Sequence, residues 1–147
     1  MRGLKFVAVT GYVLILTYIV LWAPVRIRHK VGEDYRTRFI PFKGMINEVL
    51  HPKGNNVLAH WTLFLGNFLG NMVLFMPFPL VMITVCRITG ARTIILLAFL
   101  TSVALEITQY VLHLGVADVD DVMLNTAGAV IGLYLYRLLV RRFNTQS

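Results

Sequence analysis

The stretch that decides the fold is LTSVALEITQYVLHLGVADVDDVMLNTAGAVIGL, residues 100–133. It places Glu106, Asp118, Asp120 and Asp121, four of the chain's seven acidic residues, at or near the ends of two strongly apolar runs. A carboxylate at membrane depth is costly. It faces protein or water rather than lipid, and it is a functional candidate by default.

Outward from this stretch the chain keeps the same character. Four apolar spans stand at about 6–23, 61–86, 93–114 and 119–140, each near the ~20 residues that cross a hydrocarbon core. Of the 147 residues 57% are hydrophobic and 14% charged, with mean hydropathy +0.70. A soluble domain is typically about one-quarter charged. The expected fold is all-α. It is a polytopic membrane helical bundle of one domain, 1–147, with four transmembrane helices and an interfacial loop segment. The net charge of +7 then reflects topology signals and contact with anionic lipid head groups. No interleaved basic and aromatic surface suggests nucleic acid. Cys86 is the single cysteine, so an internal disulfide and a cysteine zinc site are excluded.

The first span follows Arg2 and Lys5 and stops at Pro24 and Arg26. Its run is long for a signal-peptide core and no A-x-A site follows, so it reads as an uncleaved signal anchor. Met76-Pro77-Phe78-Pro79 interrupts the second span; two prolines remove two backbone donors and should kink it near its end. His60 and Trp61 read as an interface anchor. The segment from Pro24 to His60 is too polar to span. It reads either as an ordinary solvated loop or as a loop with an interfacial piece around Arg38-Phe39-Ile40-Pro41-Phe42-Lys43, its apolar side chains dipping into the head-group layer. Arg36, Arg38 and Lys43 are its candidates for contact with anionic head groups. The fourteen Lys and Arg residues divide evenly between this loop and the opposite side. Weighting basic residues next to short links puts both termini in the cytoplasm, with the loop and the acidic cluster outside.

Residues at i, i+3, i+4 and i+7 share a helix face. Glu106, Gln109, Tyr110 and His113 form such a stripe in span three. Asp118, Asp121, Asn125, Gly128 and Gly132 form another in span four. The short link between them makes the helices antiparallel neighbours, so the polar stripes can face each other near one membrane surface. The candidate polar pocket is Asn71, Glu106, Gln109, Asp118, Asp121 and Asn125. Each has a plain structural alternative. One aspartate is an N-cap. Glu106 hydrogen-bonds Asn125 or Asn71 to tie helices together, and Asn67 and Asn71 are interhelical glue. Gly128–Gly132 and Gly66–Gly70 both show the small-xxx-small spacing that lets helices approach closely. Oxygen ligands at the acidic cluster would suit a hard divalent cation rather than zinc.

These residues, in their order, resemble the VanZ-like family of bacterial membrane proteins. The likeness rests on Ile40-Pro41-Phe42, on Asn71 followed by Leu74-Phe75-Met76-Pro77-Phe78, on Leu105-Glu106-Ile107-Thr108-Gln109, and above all on residues 115–129 with Gly132 after them. It covers nearly the whole chain, which stops soon after span four, so the fifth helix of some relatives is not expected. Pro79 stands where the family usually has glycine. Many members carry an arginine near the Gly115 position; without it a salt bridge to the aspartates is not assumed, which leaves the carboxylates open to a cation.

The resemblance implies a cell-envelope role in the bacterial cytoplasmic membrane, the family's namesake being linked to low-level teicoplanin resistance. Three readings stay open. The first is a non-enzymatic protein that engages a lipid or cell-wall-precursor head group and lowers susceptibility to glycopeptide or lipoglycopeptide antibiotics. The second is an intramembrane enzyme with Glu106 as acid–base and a divalent cation on Asp118 and Asp121. The third is a small ion-coupled transporter working as an oligomer, for which no repeat between halves is evident.

Overall fold

A computed structural model of the chain describes residues 2–22, 38–52, 56–112 and 117–144. Among them it is helical, with no strand beyond one isolated bridge. The helices are α1 (Arg2–Trp22), α2 (Lys43–Leu50), α3 (Val57–Phe75), α4 (Phe78–Thr84), α5 (Ala91–Val111) and α6 (Val119–Asn144). Three stretches are long and apolar enough to cross a membrane: Val57–Thr84, Ala91–Val111 and Val119–Val140. In α1 the apolar part is shorter, Val9–Ile19, within the expected span 6–23. The protein is a helical membrane bundle.

Local chemistry sets the breaks. The Asn56 side chain accepts from the Ala59 N–H at 3.1 Å and starts α3, as an N-cap should. Span two divides at Met76 and Pro77 into α3 and α4, where the two prolines predicted a kink. Pro79 lies in the first turn of α4 and is buried; there a missing N–H costs nothing.

At the centre stands α6, packed against α3, α4 and α5. The apolar core joins Leu16, Leu74, Phe75, Phe78, Ile94, Ala98, Ala129 and Leu133. Phe75 and Phe78 stack across the helix break with centroids 5.9 Å apart. Tyr12 fastens α1 to this core by donating to the Leu74 carbonyl at 3.1 Å. Gly128 and Gly132 explain how close α3 comes. A Cβ at Gly128 would lie 2.1 Å from the Met72 carbonyl oxygen, and one at Gly132 would lie 2.0 Å from that of Met76. The second run behaves differently: Gly66 and Gly70 have nothing within 4 Å of a built Cβ, so they are not a packing seam among the described residues.

The segment expected to be an interfacial loop is more ordered than that reading. The Arg38 N–H donates to the Ala117 carbonyl at 2.9 Å, and the Val119 N–H donates to the Arg38 carbonyl at 3.1 Å. Arg38 and Asp118 thus form a parallel bridge. The chain turns at Phe42, whose φ is 62°, and continues as the helix α2. The pairing puts Arg38 and the α2 that follows it at the same end of the bundle as the start of α6.

Candidate functional site

The polar residues collect where α6 begins. Asp118 is the N-cap: its Oδ1 accepts from the Asp120 N–H at 2.9 Å. The backbone N–H of Asp118 donates to Glu106 Oε2 at 3.0 Å. Glu106, only 6% exposed, therefore ties α5 to the first turn of α6. The expected interhelical tie is present, and a backbone amide of α6 is one of its partners.

The stripe along α6 is shared between two neighbours rather than presented to α5 alone. Asp121 turns to α3, where its Oδ1 accepts from Asn71 Nδ2 at 2.6 Å and from Asn67 Nδ2 at 3.5 Å. Asn125 turns to α5 and donates through Nδ2 to Ser102 Oγ at 2.8 Å. Its Oδ1 is buried without a hydrogen-bond partner.

On α5 the buried side is Ile94, Ala98, Ser102, Glu106 and Gln109, while Tyr110 is 48% exposed and leaves the expected stripe. Ser102 lies one turn before Glu106 on the same face, the spacing by which the sequence signals it. His113, also in that stripe, lies outside the described residues, as does Arg36.

Asp120 is the residue the spacing argument left out of the pocket, and it is 3% exposed. Its Oδ1 accepts from the Phe42 N–H at 2.6 Å. It sits off the Asp118–Asp121–Asn125 stripe because it answers to the segment around Phe42, distant in sequence. Arg38 supplies a salt bridge to the cluster although no arginine stands at position 115. Its Nη1 lies 3.4 Å from Asp118 Oδ2 and 3.5 Å from Glu48 Oε1. An arginine near position 115 is thus not required, and the guanidinium expected to meet a head group already answers two carboxylates. Lys43, at the start of α2, is exposed.

Burial raises the Asp118 carboxyl above its ordinary value, and the neighbouring charge of Asp120 adds to the rise. The Asp120 N–H and the Arg38 guanidinium pull the other way. A small cavity between α2, α3 and the start of α6 is lined by Arg38, Gly44, Met45, Glu48, Phe64, Asn67, Phe68, Asp118, Asp120, Asp121 and Leu124. Its volume is about 30 Å³, which suits one or two waters rather than a head group. Among the described residues no group of three or more His, Cys, Asp or Glu is arranged to hold a metal ion.

Membrane-length helices gathered around a central α6, with a polar cluster at its N-terminal end, define a small polytopic helical membrane protein. The VanZ/LLP1 family model matches residues 6–140, and the chain belongs to that family. It is similar to Protein VanZ of Enterococcus faecium, with 32% identity over 85 residues, 56% of this chain and 53% of that protein. The chain thus spans about half the length of this curated relative. No solved structure matches it.

Proposed function

We propose that this protein is a VanZ-like component of the bacterial cell envelope that engages a lipid or cell-wall-precursor head group at the membrane boundary. It lowers susceptibility to glycopeptide or lipoglycopeptide antibiotics. The observation that carries the reading is the convergence of Arg38, Glu48, Asp118, Asp120 and Asp121 around one cavity at the start of a membrane-spanning helix. Polar groups gathered there, facing one another instead of lipid, mark a site rather than a packing accident. The small cavity means that a ligand larger than water is met at its rim, between α2 and α3, where Lys43 adds an exposed positive charge. The bridge of Arg38 to Asp118 supports one shared side for the first loop and the α5–α6 link. With both termini in the cytoplasm, that side is the outer face of the cytoplasmic membrane. The similarity to Protein VanZ supports the envelope role.

Expression in a susceptible Gram-positive host tests the proposal. The expected result is a several-fold rise in the teicoplanin concentration needed for inhibition, lost in Asp121→Asn at equal membrane abundance. No change with wild-type protein verified in the membrane rejects the resistance role.

A further inference from the structure

We propose that α2 is an in-plane bilayer anchor, its outward stripe of Phe42, Ile46, Val49 and Leu50 lying in the boundary between lipid head groups and acyl chains. A surface helix of a soluble domain turns its apolar stripe inward to the core. Here the order is reversed. Phe42, Ile46, Val49 and Leu50 share a face by their 4, 3, 1 spacing, and they are 47%, 56%, 45% and 66% exposed. Phe39 and Ile40, just before them, are 72% and 59% exposed. The opposite face is the one turned to the protein: Gly44, Met45 and Glu48 line the cavity, and a Cβ at Gly44 would lie 3.4 Å from Asp120 Oδ2. No residue of α2 is buried, so nothing among the described residues covers the stripe.

The two ends of α2 fix its direction. At its start Phe42 donates to Asp120 in the first turn of α6. Near its end the Glu48 carbonyl accepts from His60 Nε2–H in the first turn of α3, at 3.0 Å. Both turns open membrane-spanning stretches, Val119–Val140 and Val57–Thr84. The helix therefore reaches from the mouth of one span to the mouth of its neighbour. Eight residues of helix cover about 12 Å, close to the roughly 8–10 Å between packed helix axes. A helix laid across two span mouths lies in the plane of the bilayer, not along its normal.

At the start of α3, the span whose first turn holds the end of α2, Val57 and Leu58 are likewise 58% and 77% exposed. Val57 and Leu58 open a membrane-length span, and an exposed apolar stripe held against its mouth meets the lipid interface. Lys43 and Asn47, also exposed, take the remaining arc at the level of the head groups. This placement does not depend on which molecule the neighbouring cavity meets.

The test uses the full chain in vesicles of phosphatidylcholine and phosphatidylglycerol. On a Cys86→Ser background, Ile46→Cys, Val49→Cys and Asn47→Cys carry a nitroxide, and collisions with oxygen and a water-soluble nickel complex are compared. Oxygen should dominate several-fold at positions 46 and 49, and the nickel complex at 47. Equal nickel access at all three positions overturns the proposal. So does shielding of 46 and 49 from both reagents, which would mean that a second copy or another protein covers the stripe. Unlabelled wild-type protein with diazirine-bearing acyl chains gives an independent readout. Adducts are expected within residues 42–50; adducts confined to the spanning helices count against the anchor. A negative antibiotic test would leave this placement standing, and a water-exposed α2 would leave the antibiotic result standing.

Discussion

Gly128–Gly132 and Gly66–Gly70 carry the same small-xxx-small spacing on neighbouring helices, yet only the first is a seam. The Met72 and Met76 carbonyls press on Gly128 and Gly132, whereas Gly66 and Gly70 face open space. What separates them is which helix face the polar residues beside them turn inward. Above Gly128 the same face of α6 carries Asp121, and its bond from Asn71 sets the rotation that brings the glycines onto α3. Gly66 and Gly70 each precede one of the asparagines that reach Asp121, so they stand about 100° round α3 from the locked face and the same bond turns them away from α6. Asn67, between them, reaches Asp121 at only 3.5 Å. Spacing permits a close approach; the hydrogen bond next to it decides where the approach occurs.

The largest expected effect comes from filling the real seam. Gly132→Ala puts a methyl group where backbone oxygen already sits, and backbone cannot step aside as a side-chain tip can. The cost should stand near the top of the range for overpacked sites, about 3 kcal/mol. It is read from denaturation midpoints in mild detergent. A midpoint within error of wild type would mean that α3 and α6 are not in backbone contact.

Next comes the lock. Asn71→Leu keeps the branching at Cγ but removes the 2.6 Å donor to Asp121 Oδ1, at a cost of about 2 kcal/mol. Asp121→Asn at the other end of the bond should be gentler, because an amide oxygen still accepts. If the two variants destabilise equally, the charge rather than the hydrogen bond is what matters.

The belt above the seam should break locally. Asp120→Ala strips the acceptor from the Phe42 N–H at a cost of about 1 kcal/mol. Hydrogen exchange should quicken across residues 38–50 while the Gly128–Gly132 region keeps its protection. Faster exchange in both regions would show that the clamp and the seam form one cooperative unit.

These contrasts also mark how much could be read from the chain. The helices and the break at Met76–Pro77 follow from apolar runs and proline chemistry, both local properties. Asp118 as N-cap and Glu106 as an interhelical tie were equally legible, since capping and buried polar groups have few solutions. Three things were not. Arg38 to Asp118, Phe42 to Asp120 and the turning of Asp121 toward α3 are contacts between residues 50–80 positions apart, and no spacing rule reaches that far. The helical state of 43–50 was masked by weak local signals. Gly44 disfavours helix, and the apolar stripe faces away from the protein, so it does not look like the buried face of a helix.

Asp118 gives a subtler contrast, between a cap and a charge. Its folded-state carboxyl is raised, chiefly by burial, so the folded protein holds that proton more tightly than the unfolded chain does. The resulting stability is fully present below the ordinary carboxylate range and is lost as pH rises through the raised value. Asp118→Asn keeps a good N-cap and removes the titration. Wild type should therefore gain on this variant as pH falls from 7 to 4, in midpoints measured side by side. The opposite slope would mean that the attraction of Arg38 outweighs burial.

The smallest expected effect closes the comparison. Gly66→Ala with Gly70→Ala adds two methyl groups to a surface with nothing within 4 Å, and alanine favours helix over glycine. For the single chain the change should stay within about 0.5 kcal/mol and lean toward stabilisation. Size-exclusion chromatography with light scattering in the same detergent gives the second reading. An unchanged mass with an unchanged midpoint leaves this face to lipid. A double variant that costs as much as Gly132→Ala, or that loses mass on the column, would show instead that the second run is also a seam, with its partner helix on another copy of the chain. Equal spacing would then have equal meaning, and the difference between the two runs would lie only in which molecule supplies the opposing backbone.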